Sequence, residues 1–122
     1  MNSELQPDWT KTVLGPTATI ADAIQVLNDA SLRLVLVLDQ QKKILGTVTD
    51  GDVRRGLIQQ LGMNAPVSEI MNRAPVTVNS QMGRTSMIQL MREKDILQLP
   101  VVKSDGTVVG VEFLQSLTVR PT

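Results

Sequence analysis

GTVTDGDVRRGL, residues 46–57, is the stretch that decides the fold of this chain. It places a hydroxyl, a glycine and a carboxylate (Thr49, Gly51 and Asp52) where a strand gives way to a helix. The apolar residues around them predict a strand and then a helical stripe: Ile44, Leu45 and Val48, followed by Val53, Leu57, Ile58 and Leu61. The stretch therefore predicts a strand-to-helix junction with polar groups at the first turn of the helix.

The first turn of a helix exposes unpaired N–H groups at the positive end of the helix dipole, and such a turn suits a phosphate. Gly51 would let a ligand approach the backbone closely. Thr49 can add a hydroxyl. An ionised Asp52 carries only acceptors, so it can hold two vicinal ribose hydroxyls. Together these residues indicate a site that holds a nucleotide without reacting with it.

The composition excludes several kinds of site. The chain has 122 residues, 42% of them hydrophobic, which suits one compact unit or two small lobes that share a core. It has no cysteine and no histidine, which removes disulfides, thiolate sites, and the commonest general base and metal ligand. Twelve basic and twelve acidic residues cancel, and Trp9 and Phe113 are the only aromatic residues, so we expect no nucleic-acid partner.

The same sequence lacks the marks of a membrane or exported protein. No apolar run approaches the ~20 residues of a membrane span. Residues 1–8 lack the basic and then apolar order of a signal peptide. We therefore expect a cytoplasmic protein with no membrane partner.

The two halves of the sequence repeat each other. A shift of 64 residues superimposes them without a gap and brings Gly46 onto Gly110. The first half predicts a strand, a helix, two strands and a helix: Thr12–Leu14, Ile20–Ala30, Leu34–Leu38, Ile44–Thr49 and Gly51–Leu61. The second half predicts the same order with a shortened last helix: Val76–Val78, Gly83–Lys94, Gln98–Lys103, Val108–Val111 and Leu114–Leu117.

Local signals mark the ends of these elements. Thr19 and Asp22 have the spacing of a capping box at the start of the first helix. Residues 104–107 (Ser-Asp-Gly-Thr) predict a tight hairpin turn, whereas residues 40–43 lack glycine and predict a looser loop.

The domains follow from the repeat: residues 9–62 form the first, 63–75 a connecting segment, and 76–122 the second. In the connecting segment, Pro66 and Ser68 predict a short helix that ends near Asn72. Strands that are apolar throughout, such as Leu34–Leu38, indicate burial on both faces. A β-α-β-β-α unit of ~50 residues has too small a core alone. We therefore expect an α+β fold in which the two repeats pack sheet to sheet with pseudo-two-fold symmetry.

The repeat, the Gly-x-x-Thr-x-x-Asp junction and the Leu-Pro-Val-Val strand at 99–102 resemble the tandem cystathionine-β-synthase (CBS) domain pair, or Bateman module. The resemblance implies a regulatory module that binds an adenine nucleotide in a cleft between the lobes, without a metal. AMP, ADP or ATP is expected before S-adenosylmethionine. The family motif assigns Thr49 to phosphate and Asp52 to ribose. Phe113 and Ser116 stand at these positions in the second half, so we expect one competent site and one degenerate one.

The resemblance also implies the remaining contacts. Adenine is expected in an apolar slot near the first strand and the start of the second. Apart from the resemblance, Arg54 or, as the less favoured choice, Arg55 could reach the phosphate, because a guanidinium binds its oxygens well. Equally, both could be solvated or could bind the rest of a larger protein. The expected nucleotide-binding residues are Val13, Leu14, Pro16, Thr17, Leu34, Val35, Thr49, Asp50, Gly51, Asp52 and Arg54.

The string TDGDVRRGL, residues 49–57, resembles two bacterial groups more narrowly. One is the regulatory module in front of sugar-phosphate nucleotidyltransferases, and the other follows the catalytic domain of arabinose-5-phosphate isomerases. Eleven residues precede Thr12, which favours the nucleotidyltransferase arrangement. The resemblance thus implies that the chain is no enzyme but the sensor of an attached catalytic domain, with the isomerase module as the alternative.

Simpler interpretations stay open. Thr49 and Asp52 could serve only to stabilise the helix, as an N-cap and a first-turn acid. The chain could be a dimerisation scaffold with a vestigial site. A small phosphohydrolase is disfavoured, because histidine and cysteine are missing and Asp50 and Asp52 have no third acidic partner for a metal.

A helix of the second half suggests a homodimer. Met82, Met87 and Met91 are at helical spacing and indicate core or dimer packing rather than a cofactor site. The cluster Met87, Ile88, Leu90 and Met91 is more apolar than one buried stripe requires, which predicts an interface there.

Overall fold

The computed structural model describes residues 8–29 and 32–118, and these divide into two compact units between Pro75 and Val76. The first unit contains three strands and two α-helices: β1 (Val13–Leu14), α1 (Ile20–Asp29), β2 (Val35–Leu38), β3 (Ile44–Val48) and α2 (Asp50–Ile58). The second contains α3 (Arg84–Lys94), β4 (Gln98–Val102), β5 (Val108–Phe113) and α4 (Leu114–Thr118). This mixed architecture confirms the predicted α+β class.

The sheet of the first unit has the order β1-β2-β3. β1 pairs with β2 in parallel, because helix α1 connects them, and β2 pairs with β3 in antiparallel orientation. Val35 lies opposite Val48, so the end of β3 lies beside the start of β2. This register determines which residues of β2 lie next to the end of β3.

The second unit repeats the first at the offset that the sequence predicts. Val37 pairs with Gly46 in one sheet, and Val101 pairs with Gly110 in the other. Each sheet has a register shift directly after that pair. The predicted strand at 76–78 is reduced to a single bridge between Val78 and Val101, so the second sheet has two strands.

Side-chain capping marks the start of α1. The capping box of α1 is present: the Thr19 N–H donates to Asp22 Oδ2 over 3.0 Å, and the Asp22 N–H donates to Thr19 Oγ1 over 3.1 Å. The last residue of the predicted helix, Ala30, lies outside the described residues. The predicted connecting helix is a single 3-10 turn at Val67–Glu69.

Helix α2 is shorter than predicted and buries a different face. It ends at Ile58, and its buried residues are Asp52, Val53 and Gly56. Leu57 and Ile58, which we assigned to the apolar stripe, are 42% and 72% exposed. The stripe prediction holds for Val53, which is buried, and for Leu61, which packs against the core. It was wrong for Leu57 and Ile58, because it counted apolar residues alone and the buried face of α2 also includes Asp52 and Gly56.

The loop between β2 and β3 is tighter than its lack of glycine suggests. Asp39 Oδ1 accepts hydrogen bonds from the N–H groups of Gln41 and Lys43, and Lys42 adopts a left-handed φ of 66°. In the second unit Gly106 adopts the equivalent conformation, with a φ of 93°. The carboxylate of Asp39 therefore stabilises a turn that we predicted to be loose.

Each unit has its own hydrophobic cluster. That of the first centres on fully buried residues of α1 and the sheet: Ile20, Ala23, Val35, Val37 and Val48. In the second, Met87 and Met91 are buried, and Met82 and Leu90 pack against them. The core interpretation of the methionines is confirmed. Of the predicted dimer face, Met87 and Met91 are therefore occupied within their own unit.

Candidate functional site

The junction between β3 and α2 forms a closed set of hydrogen bonds. Thr49 is the N-cap of α2, and its Oγ1 accepts from the Asp52 N–H over 3.4 Å. Asp52 Oδ2 accepts in return from the Thr49 N–H over 2.9 Å and from the Thr49 hydroxyl over 3.1 Å. This is a capping box, so the helix-stabilising interpretation of the two residues describes their contacts correctly.

Burial distinguishes this capping box from the one on α1. Thr19 and Asp22 make the same two backbone bonds, yet Asp22 is exposed to water. Asp52 is only 5% exposed. A carboxylate that serves only as a cap has no need of burial, which is costly unless its oxygens are hydrogen-bonded. Burial therefore sets Asp52 apart from the capping carboxylate of α1.

A guanidinium compensates for the burial of Asp52. Arg55 Nη2 donates to Asp52 Oδ1 and forms an ion pair one helical turn along α2. The Arg55 side chain is 64% exposed, whereas that of Asp52 is 7% exposed. Arg54, the arginine that we expected at the phosphate, is exposed and is not the partner of Asp52 in this ion pair. The i, i+3 spacing of Asp52 and Arg55 on a helix could have predicted this ion pair from the sequence.

The helix start leaves two amides available. The first bond of the helix ladder joins the Val53 N–H to the Thr49 carbonyl. Among the described residues, no bond from the N–H of Asp50 or Gly51 is present, and both residues are exposed. A Cβ at Gly51 would lie 3.7 Å from Thr49 Oγ1 and 3.9 Å from Arg55 Nη1, which are ordinary contacts. Gly51 is thus not required sterically by the fold, and it leaves its amide open.

The sheet register brings some of the expected adenine contacts to this junction. Val35 lies opposite Val48, which places Leu34 level with Thr49. Val13 pairs with Leu36, two residues further along the sheet. The side chains of Leu34 and Val35 are buried, 7% and 0% exposed, so a ligand would meet these residues through their backbone.

The register separates three other expected contacts from the junction. Leu14 pairs with Val37, three residues along the strands from the level of Thr49, or roughly 10 Å at ~3.3 Å per residue. Pro16 and Thr17 continue further in that direction, where the Pro16 carbonyl accepts from the Ser68 N–H. These three residues do not surround Thr49, because a strand parallel to β2 ends at the opposite edge from the end of β3.

Thr12, which the sequence analysis did not identify, lies at the same end of the sheet as Thr49. It is the last residue of a 3-10 turn at Trp9–Thr12, is fully buried, and its hydroxyl donates to the Leu34 carbonyl. The bond joins the start of β1 to the start of β2 beside Thr49. The β-α-β order of the repeat predicts that the first two strands are parallel. This order could have placed Thr12 beside the start of β2 from the sequence alone.

Thr12→Val is expected to lower the free energy of unfolding by about 1–2 kcal/mol, because it leaves the Leu34 carbonyl without its donor in a buried position. Urea denaturation of the variant measures the change. Thr17→Val, at an exposed position of the same unit, is the matched control and should change stability by less than about 0.5 kcal/mol. Equal stabilities of the two variants would contradict the role assigned to the Thr12 hydroxyl.

The second unit lacks this arrangement. Phe113 ends β5 opposite Gln98, and α4 covers the five residues Leu114–Thr118. The Leu114 N–H donates instead to the Leu97 carbonyl. Phe113 and Ser116 offer neither a carboxylate nor a capping box.

Two further features bear on the kind of site. Among residues 8–29 and 32–118, no three acidic side chains come together to hold a metal ion. No helix in the described part of the chain has the length and apolar character to cross a bilayer.

Comparison with known proteins identifies the architecture. The profile of the CBS domain matches residues 9–59 and 67–111. The chain is 34% identical over 99 residues to arabinose 5-phosphate isomerase GutQ of Escherichia coli K12, a match that covers 81% of this chain and 31% of the isomerase. The same isomerase of Salmonella typhi is 34% identical over 97 residues, covering 80% of this chain and 30% of its own length. The chain thus spans about a third of the length of the curated relatives that it matches. These relatives are isomerases, so the predicted nucleotidyltransferase connection finds no support in them.

Solved structures agree with the fold. A CBS domain protein of Pyrobaculum aerophilum, complexed with AMP, superimposes with a TM-score of 0.78 at 26% identity, covering 94% of this chain and 86% of the other. The CBS domains of a Streptococcus pneumoniae transcriptional regulator superimpose at 0.77 and 21% identity, covering 92% and 90%. A CBS pair is a regulatory and non-catalytic module, so the chain by itself is not an enzyme. With two matched repeats and this fold, the chain belongs to the CBS domain family.

Proposed function

We propose that the chain is a regulatory module that binds an adenine nucleotide at the start of α2. The burial of Asp52 carries the proposal, since an exposed carboxylate caps α1 with the same bonds. The complex of AMP with the P. aerophilum CBS protein, 26% identical to this chain, supports the choice of ligand class.

The proposed contacts divide between the helix start and the sheet. The open amides of Asp50 and Gly51 hold phosphate at the positive end of the helix dipole. Asp52 holds the ribose hydroxyls. Adenine lies against the backbone at Val13, Leu34 and Val35. The Thr49 hydroxyl already donates to Asp52, so it reaches phosphate only by giving up that bond.

Regulation would follow from differential affinity. A nucleotide that binds one conformation of the module more tightly than another shifts the population toward it, and an attached domain senses that shift. The attached domain that we propose is a sugar-phosphate isomerase, because the curated relatives at 34% identity carry that activity. A homodimer and a cytoplasmic location remain predictions that belong to this proposal.

Asp52→Asn is expected to abolish the stabilisation of the protein by AMP, because an amide removes the charge and half of the acceptors while keeping the shape of the side chain. A thermal-shift series with AMP, ADP, ATP, S-adenosylmethionine, GTP and CTP measures it. One site filled at a hundred times its dissociation constant adds roughly 2.7 kcal/mol, on the order of 10 °C for a chain of this size.

Asp22→Asn is the matched control, since it alters the same residue of a capping box in the same unit. Both variants should lose stability on the order of 1 kcal/mol without ligand, but only Asp52→Asn should lose the response to AMP. If no adenine ligand stabilises the wild-type protein, the nucleotide-binding proposal is wrong and the dimerisation scaffold takes its place.

A further inference from the structure

The ion pair between Arg55 and Asp52 bears directly on what the proposed site can select, and the inference below rests on the proposed function. An ionised carboxylate has about four acceptor positions. The N–H and hydroxyl of Thr49 both donate to Oδ2 of Asp52, and Arg55 donates to Oδ1. One acceptor position therefore remains on Oδ1. A ribose with two vicinal hydroxyls needs two acceptors, so as long as Thr49 keeps both of its bonds to Oδ2, the ribose must compete with Arg55 for Oδ1.

The guanidinium of Arg55 is also close to the proposed phosphate position. Its Nη1 lies 3.9 Å from the point that a Cβ on Gly51 would occupy. The N–H of Gly51 is one of the two open amides at the helix start. The Arg55 side chain is 64% exposed, so a rotation toward an anion on those amides does not disturb the core.

We propose that Arg55 determines the ligand specificity of the site by coupling the ribose contact to the phosphate contact. Ribose displaces Arg55 from Asp52, and the displaced guanidinium then donates to the phosphate of the same ligand. A nucleoside without phosphate displaces Arg55 and offers it no new partner. A nucleoside 5′-phosphate offers an anion that a guanidinium binds with a strong, charge-assisted hydrogen bond. The site therefore selects nucleotides over nucleosides.

Isothermal titration calorimetry with adenosine and with AMP tests this coupling on the whole chain. In Arg55→Gln we expect adenosine to bind more tightly and AMP less tightly than in the wild-type protein. The ratio of the two dissociation constants, adenosine over AMP, should fall by about tenfold or more, since one charge-assisted bond is lost from one ligand only. Arg73→Gln is the matched control, because it removes the same charge from an exposed position of the same unit.

The outcomes separate the two proposals. A wild-type preference for AMP that persists in Arg55→Gln overturns the role of Arg55 and leaves the nucleotide site standing. An equal fall of the ratio in Arg73→Gln also overturns the role of Arg55 and leaves the nucleotide site standing, because the effect then comes from the net charge of the protein. Binding of neither ligand to the wild-type protein overturns the proposed function and this inference with it. A reduced ratio in Arg55→Gln alone, in a protein that still melts cooperatively, supports the coupling.

Discussion

Ile20→Ala is expected to lower the free energy of unfolding by about 3 kcal/mol. Ile20 is the first residue of α1, is fully buried, and belongs to the hydrophobic cluster of the first unit. Replacing a buried isoleucine with alanine removes its transfer free energy and leaves a cavity, with typical costs of about 2–5 kcal/mol. Since whole domains are stable by only about 5–15 kcal/mol, equilibrium denaturation should show a large loss.

Ile58→Ala is the matched control for this prediction. Ile58 is the last residue of α2 and is 72% exposed, so the same substitution removes little buried surface. We expect a change within about 0.5 kcal/mol. A destabilisation of Ile58→Ala comparable to that of Ile20→Ala would contradict the burial of α1 and α2 described above.

Gly46→Ala is expected to destabilise the protein by about 2–4 kcal/mol. A Cβ at Gly46 would lie 2.7 Å from the Asn72 carbonyl oxygen and 2.9 Å from the Met71 side chain. The next residue, Thr47, exchanges two backbone hydrogen bonds with Asn72, of 3.1 and 2.8 Å, so the segment cannot retreat without losing them. Overpacking and the loss of these bonds act together.

The second repeat provides the control for Gly46→Ala. Gly110 occupies the same place in the second sheet, yet a Cβ there would have no neighbour within 4 Å. Gly110→Ala should be neutral or slightly stabilising, because it restricts the unfolded chain without a clash. Thermal melting of both variants measures the difference. Equal melting temperatures would show that the 71–72 segment does not pack on β3 as described.

The proposed site shows where sequence reasoning reaches its limit. The Thr-x-x-Asp pattern occurs at the start of α1 and of α2, and both copies form a capping box. The pattern therefore predicts the cap in each case but does not separate a cap from a ligand contact. Only the burial of Asp52 separates the two copies beyond local geometry, and it depends on how α2 packs on the sheet. Its ion pair with Arg55 is a local i, i+3 contact.

The choice between neighbouring residues depended on helix geometry for the two arginines and on strand pairing for Leu14. Arg54 and Arg55 are the same residue type at adjacent positions. The 100° turn per residue of a helix brings only Arg55 onto the side of Asp52. Leu14 was expected near the ligand because the family resemblance places adenine near the first strand. The parallel pairing of β1 places Leu14 toward the opposite end of the sheet from Thr49.

The sequence by itself determined the order of the elements, the repeat at 64 residues and the capped start of α2. These features depend on interactions between residues close in the chain and on a periodicity that both halves share. The tertiary structure decided which carboxylate is buried and which strand ends meet at the site. Those properties depend on strand register and helix rotation, which bring together residues that are distant in sequence and whose contacts no local pattern encodes.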